Sequence, residues 1–305
     1  MNPELTADAI GRVLVVGAGT MGRQIALQCA LHGLAVDLYD TSPDALRAAQ
    51  AEIDSLAASF ARHGRLSPAE ATAAAGRVAP TSDLAVAAAR ADLVTESVPE
   101  DPALKGRVFA QLNELCPAHT VFTTNSSTLL PSMFAAATGR PERFAALHFH
   151  LPPWDANVVD IMAHSDTAPA IVALLVAFAR RIGQIPIVTR RESSGYVFNA
   201  LLSALNGAAL KLAAEGIAGV ADIDRAWMGI MKTPIGPFGI MDMIGLETIW
   251  TITNYWATTL DDEELRANAD FVKSYLDRDR RGRKNGHGFY DYPHPAFARD
   301  GFLEG

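Results

Sequence analysis

Cysteine is nearly missing from this chain. Its 305 residues include only Cys29 and Cys116. That excludes a disulfide framework and a cysteine-based metal cluster, and no metal is expected. Cys29 falls inside a helical pattern, where a buried packing role is expected. Long apolar runs are lacking too. The most apolar helical stretch, Ile171 to Ala179, is too short to cross a bilayer and is followed by Arg180-Arg181. No secretion signal is visible, so a cytoplasmic location without a membrane partner is expected. Positive charge is in deficit: 26 Lys and Arg face 34 Asp and Glu, a net charge of −8. This balance argues against nucleic acid as a partner. No internal repeat or low-complexity tract occurs. What remains, 49% hydrophobic and 20% charged, is the composition of a soluble globular protein long enough for two domains.

The most informative segment present is Val13-Leu14-Val15-Val16-Gly17-Ala18-Gly19-Thr20-Met21-Gly22. An apolar strand runs into a G-x-G-x-x-G turn, and a helical pattern follows. In a dinucleotide-binding βαβ unit Gly17 permits the tight turn. Gly19 lets backbone approach a pyrophosphate, and Gly22 lets helix and strand pack closely. Thr20 and Met21 open the helix, whose free N–H groups and positive dipole end face the phosphates. The next strand, Ala35 to Tyr39, ends in Asp40, 18 residues after Gly22. An acidic residue there accepts from the adenine ribose hydroxyls of NAD and repels the 2′-phosphate of NADP. The alternative is that Asp40 merely caps the helix opening at Ser42-Pro43.

Pro43 to Arg62 reads as a long helix and Ser67-Pro68 opens a second to about Ala75, a helical hairpin inserted before the next strand. It carries Arg47, Arg62, His63, Arg65 and Arg77. Two readings stand: a solvated helix pair, or a basic arm touching an anionic ligand. Strands are then predicted at Ala91–Thr95, Thr120–Thr124, Arg143–His148, Val158–Met162 and Ile185–Thr189. Helices are predicted at Pro102–Cys116, Leu130–Thr138 and Ala168–Ile182. This is α/β, a Rossmann-like doubly wound, mostly parallel sheet. Near Arg190 the pattern changes. Helices are predicted over Gly195–Glu215, Val220–Trp227, Gly239–Tyr255 and Leu265–Arg278, making residues 191–305 an all-α domain after a coenzyme domain of residues 1–190. Trp227, Trp250 and Trp256 are expected in its core or at a subunit contact.

Seven segments, in order, resemble the L-3-hydroxyacyl-CoA dehydrogenase family: Gly17 to Gly22, Glu96-Ser97-Val98-Pro99-Glu100, Thr124-Asn125-Ser126-Ser127, Arg143 to Phe149, Gly195-Tyr196-Val197-Phe198-Asn199, Pro234 to Phe238, and Gly288-Phe289-Tyr290-Asp291-Tyr292. The resemblance spans about Arg12 to Tyr292 and is nearest to short-chain, 3-hydroxybutyryl-CoA-like members. It implies NAD-dependent oxidation of a 3-hydroxyacyl-CoA, with His148 as base and Asp160 orienting it. An imidazole, with an ordinary pKa of ~6.5, can both take and return a proton near neutrality. The resemblance also implies that Ser127 and Asn199 bond the substrate oxygen and its neighbours. It likewise implies that Glu96 and Asn125 stand on the nicotinamide side of the coenzyme, and a homodimer through the C-terminal domain is expected.

Three departures bear on substrate. Asp160 stands where the family has glutamate and reaches about 1.5 Å less far. Leu151 stands where the family has asparagine, with His150 either a second polar contact or a packing residue. Trp154 lies in an unusual loop, where it is expected to wall the acyl pocket. Glu96 has a simpler reading as a strand-end residue pointing to water. Two other functions remain open on the sequence: a dehydrogenase of a free hydroxy acid such as gulonate, and a non-catalytic NADH-binding relative.

Overall fold

The computed structural model describes residues 6–305. The chain parts after Val197 into two compact units, Met1–Val197 and Phe198–Gly305.

The first unit opens with β1 (Arg12–Val16), α1 (Thr20–Leu31) and β2 (Ala35–Tyr39). The hairpin follows as α2 (Pro43–Arg62) and α3 (Pro68–Ala75). Its caps are those expected: Ser42 accepts from the Ala45 amide, and Ser67 forms a reciprocal box with Glu70. Next come β3 (Val78–Thr81), α4 (Leu84–Ala88), β4 (Leu93–Glu96), α5 (Pro102–Leu115), β5 (Val121–Thr124), β6 (Phe144–Phe149), β7 (Val158–Met162), α6 (Pro169–Arg181) and β8 (Ile185–Val188). The sheet order is β3-β2-β1-β4-β5-β6-β7-β8. Every pair is parallel except β6–β7. Order reverses beside β1, where open α/β sheets bind ligands at the carboxyl ends of their strands.

The central strands β4, β5 and β6 are buried at every position rather than alternating, as in a sheet covered on both faces. On one side Phe109 of α5 is fully buried, with its ring 4.9 Å from that of Phe144 and 5.8 Å from that of Phe134. Truncating such a ring costs about 3–5 kcal/mol. Phe134 also explains a correction. Leu130–Thr138 is not one helix but two 3₁₀ turns, Pro131–Met133 and Ala135–Thr138, parted where Phe134 takes φ −135° to enter this stack. The single charge inside β2, Asp37, is fully buried and is clamped by Arg12 at 3.1 Å and Arg90 at 2.6 Å. Cys29 is buried as expected, and burial pushes its thiol up to about 12.

The second unit comprises α7 (Phe198–Ala214), α8 (Val220–Met231), α9 (Pro237–Ile244), α10 (Leu246–Leu260) and α11 (Glu263–Leu276). The helix expected from Gly195 starts later because Gly195 and Tyr196 take positive φ, 80° and 53°. The helix expected over Gly239–Tyr255 is broken at Gly245, φ +101°. Buried Asp224 accepts from the amides of Phe238 at 2.8 Å and Gly239 at 3.0 Å, capping α9. Buried Asp242 accepts from the amides of Phe289 at 2.7 Å and Tyr290 at 2.9 Å. A Cβ on Gly288 would lie 2.0 Å from Asp242 Oδ1, which accounts for the glycine before Phe289. Trp250 packs on the core, whereas Trp256 is exposed, as are Tyr255 and Leu260 of the same helix. No helix among the described residues is long and apolar enough to cross a membrane.

Candidate active site

The antiparallel pair β6–β7 sets Asp160 directly opposite His148. Their distance, 3.2 Å from His148 Nδ1 to Asp160 Oδ2, is a hydrogen bond between two buried side chains. Facing residues in such a pair stand about 4.5–5.5 Å apart at Cβ, within reach of an aspartate. The reach that the sequence put in doubt is thus supplied by register. An ionised carboxylate only accepts, so the contact is made by Nδ1–H, and in the neutral ring that tautomer leaves the lone pair on Nε2. That lone pair faces the Ser127 hydroxyl at 3.1 Å. Ser127, exposed beyond β5, presents the hydroxyl from the opposite side of the ring to Asp160. Tyr196 stacks flat on the imidazole at 4.6 Å and 4°, and donates its hydroxyl to the Ser126 carbonyl at 2.7 Å.

His150 is a polar contact. Its Nε2 lies 2.9 Å from Asp160 Oδ2, the same oxygen that serves His148. The two ring nitrogens and the carboxylate oxygen lie within 4.8 Å of one another, a spacing explained by two N–H···O bonds sharing one acceptor. Burial alone would raise the Asp160 carboxyl; donation from His148 and His150 outweighs it and holds the group below the usual range.

The loop carrying Ser127 is held from behind. Glu100 Oε1 accepts from the amides of Ser127 and Thr128, both at 3.1 Å, from the Thr128 hydroxyl at 3.0 Å, and from the Ser126 hydroxyl. Burial raises the Glu100 carboxyl, and the Ser126 hydroxyl and Lys105 more than offset this, leaving it lowered. Lys105 is buried and reaches Glu100 at 3.3 Å and Glu96 at 2.7 Å. Glu96 does not point to water: it is fully buried, with Lys105, the Thr124 hydroxyl and the Val98 amide as partners. Asn125 Oδ1 accepts from the Phe149 amide at 2.8 Å, tying the end of β5 to the end of β6. Lys105, Glu100 and Tyr196 are the residues that sequence reading did not place in the site, while His150 stood open between a polar contact and a packing role. Glu100 and Tyr196 lay within quoted motifs, whereas Lys105 is one lysine in an amphipathic helix with no signal of burial.

At the carboxyl end of β1, on the same edge of the sheet, the turn fits NAD. Gly17 has φ +106°, and a Cβ there would lie 2.7 Å from the Ser97 carbonyl oxygen. A Cβ on Gly22 would lie 1.8 Å from the Gly17 carbonyl oxygen, while one on Gly19 would meet nothing within 4 Å. Gly19 is the N-cap of α1 without a side-chain bond, so among the described residues no side chain caps the amides of the first turn, Thr20 and Met21 included. Open space over uncapped amides is an anion cradle. Asp40 Oδ2 accepts from the Ala18 amide at 2.8 Å and Oδ1 from the Ser42 amide at 2.8 Å. It therefore braces the turn; the cap of α2 itself is Ser42.

The hairpin arginines are partly engaged. Arg47 pairs with Asp44, Arg65 pairs with Asp155 at 2.8 Å, and Arg77 reaches the Ala30 carbonyl. Trp154, expected at an acyl pocket, meets Phe60 of α2 edge-on at 5.1 Å and packs against the hairpin side of the core. Leu151 is exposed. Asn199 lies at the start of α7, in the second unit.

Two family models match. The 3-hydroxyacyl-CoA dehydrogenase NAD binding domain covers residues 12–193, and the C-terminal domain of the same family covers residues 195–292. A probable 3-hydroxybutyryl-CoA dehydrogenase of Bacillus subtilis is 30% identical over 283 residues, 93% of this chain and 98% of the relative. Among solved structures, a diketoreductase described as catalysing dicarbonyl compounds is 41% identical with a TM-score of 0.86, over 93% of this chain and 99% of its own. The (S)-3-hydroxybutyryl-CoA dehydrogenase PaaH1 of Ralstonia eutropha is 29% identical with a TM-score of 0.83, over the same shares.

Proposed function

Since this chain belongs to the 3-hydroxyacyl-CoA dehydrogenase family and is an NAD-dependent oxidoreductase, we propose that it interconverts a short-chain L-3-hydroxyacyl-CoA and its 3-ketoacyl-CoA with His148 as general base. The observation that supports this reading is the alignment of Ser127, His148 and Asp160. His148 Nε2 takes the proton of the 3-hydroxyl, and Asp160 stabilises the imidazolium that forms while fixing the ring's tautomer. The Ser127 hydroxyl bonds the same substrate oxygen and holds it against Nε2. NAD, when bound, supplies the acceptor for the hydrogen leaving C3 with its electron pair. In the ketone-reducing direction the imidazolium returns its proton to the oxygen.

Gly17, Gly19, Thr20, Met21 and Gly22 hold the pyrophosphate, and Asp40 the adenine ribose. Asn125 and Glu96 stand on the nicotinamide side. Glu96 acts there through the loop it braces, because its side chain is enclosed by Lys105 and Thr124. The first unit is thus the coenzyme domain. The second carries Asn199, assigned to substrate by family resemblance alone. Its exposed apolar side chains, among them Leu201, Ile217, Ile230, Tyr255 and Trp256, are of the kind that a homodimer contact would cover.

The test is NADH oxidation against a ladder of 3-ketoacyl-CoA chain lengths. Highest kcat/KM at four carbons supports the proposal, and no turnover at any length overturns it. Two observations favour a second reading, that the substrate is a free dicarbonyl or hydroxy acid: the diketoreductase is 41% identical, and Arg47 and Arg65 already have carboxylate partners. Acetoacetyl-CoA and acetoacetate at equal concentration separate the two, because equal rates exclude recognition of CoA.

A further inference from the structure

His150 has no part in the reaction described above, yet it makes the shorter of the two contacts to Asp160. Its Nε2 lies 2.9 Å from Oδ2, against 3.2 Å for His148 Nδ1. It is two residues from His148 and leaves the end of β6 on the same side. The two rings stand 4.9 Å apart at 78°, so they approach one oxygen from different directions. The other oxygen, Oδ1, is buried without a hydrogen-bond partner among the described residues. Among the described residues, both hydrogen bonds to the carboxylate fall on Oδ2. If His150 were removed, only His148 would hold the carboxylate, and the group meant to orient the base would be oriented by that base. Asp160 is also one methylene shorter than the glutamate of the resembling family, so it has no slack with which to follow a moving ring.

We propose that His150 is a positioning residue for the dehydrogenase reaction: its Nε2–H pins Asp160 Oδ2 where that oxygen also holds His148 Nδ1–H. The proposal deepens the functional reading above and rests on it for its kinetic consequence. The geometric claim can be read without turnover.

Three variants test it. His150→Phe keeps a ring of similar size and removes the donor. His150→Gln keeps an N–H donor of similar reach. The double variant His150→Phe with Asp160→Glu restores the missing length. A base displaced by a fraction of an ångström loses rate rather than substrate affinity, on the order of 10–100-fold. The expected result is that His150→Phe lowers kcat by that factor with KM for the ketoacyl substrate and the Kd for NADH unchanged. His150→Gln and the double variant recover most of the loss. Equal losses in His150→Phe and His150→Gln, or full activity in His150→Phe, would overturn the proposal. In the coenzyme-free protein, proton NMR should show the His148 ring N–H protected from exchange in the wild type and in His150→Gln, and lost in His150→Phe. An unchanged resonance in His150→Phe would contradict the tether whatever the substrate proves to be. Absence of turnover by the wild type would defeat the functional reading and leave this second measurement standing.

Discussion

Asp160 Oδ2 lies 3.2 Å from His148 Nδ1 because the two residues are direct partners across β6 and β7. A one-residue slip of either strand would turn its side chain to the other face and dissolve the pair. The orientation of the base is therefore a property of sheet register, and buried neighbours on both strands hold it: Leu147 opposite Ile161, and Ala146 opposite Met162.

Replacing Asp160 by Asn keeps shape and removes charge. The amide cannot stabilise an imidazolium, and its NH₂ group competes for the position of the acceptor. Loss of kcat on the order of 10²–10⁴-fold is expected, measured as NADH oxidation with a 3-ketoacyl-CoA, while NADH fluorescence titration stays unchanged. A variant as active as the wild type would show that the carboxylate has no part in the reaction.

The glycines of the coenzyme turn should separate by kind. Gly22→Ala puts a Cβ at 1.8 Å from the Gly17 carbonyl oxygen, so the strand-turn-helix must open and the melting temperature should fall. Gly19→Ala meets no atom within 4 Å and sits at an ordinary φ of −68°, so its melting temperature should match the wild type. NADH affinity should fall in both. Unimpaired NADH binding by Gly19→Ala would remove the pyrophosphate from this turn.

Asp242 provides a pH test of the second unit. Burial raises its carboxyl from 3.8 to about 6, despite amide bonds from Tyr290 and Phe289. The folded state thus binds this proton more tightly than the unfolded chain does. The group's contribution to stability is full below the unfolded value and is lost as pH rises through about 6. Asp160, with its carboxyl lowered, acts in the opposite sense: its contribution is present above the unfolded value and is lost as pH falls through the folded one. Asp242→Asn should therefore compare better with the wild type at pH 7.5 than at pH 5, read from thermal midpoints. An identical difference at both values would place the titration elsewhere.

Local chemistry was legible in the sequence, and distant partners were not. The G-x-G-x-x-G turn, Ser42-Pro43 and Ser67-Pro68 carry their physics within a few residues, and those elements form as expected. The short segments β3 and α4 were missed, since four residues containing Pro80 and five alanine-rich ones show no period. Gly245 breaks α9 from α10 inside a largely apolar run, so periodicity did not mark it. In the site, His148 and Asp160 came from family resemblance and were then joined by register. Lys105, buried against Glu96 and Glu100, and Trp154, turned to Phe60, are settled by tertiary packing that no local pattern encodes.

The central claim is that one imidazole moves the proton. Its most direct measurement is the steady-state rate of NADH oxidation with acetoacetyl-CoA by the wild type and by His148→Ala, alongside the Kd of each for NADH. The expected result is a kcat lower by about 10²–10⁴-fold in the variant with the Kd unchanged. Equal rates in the two proteins would contradict the account.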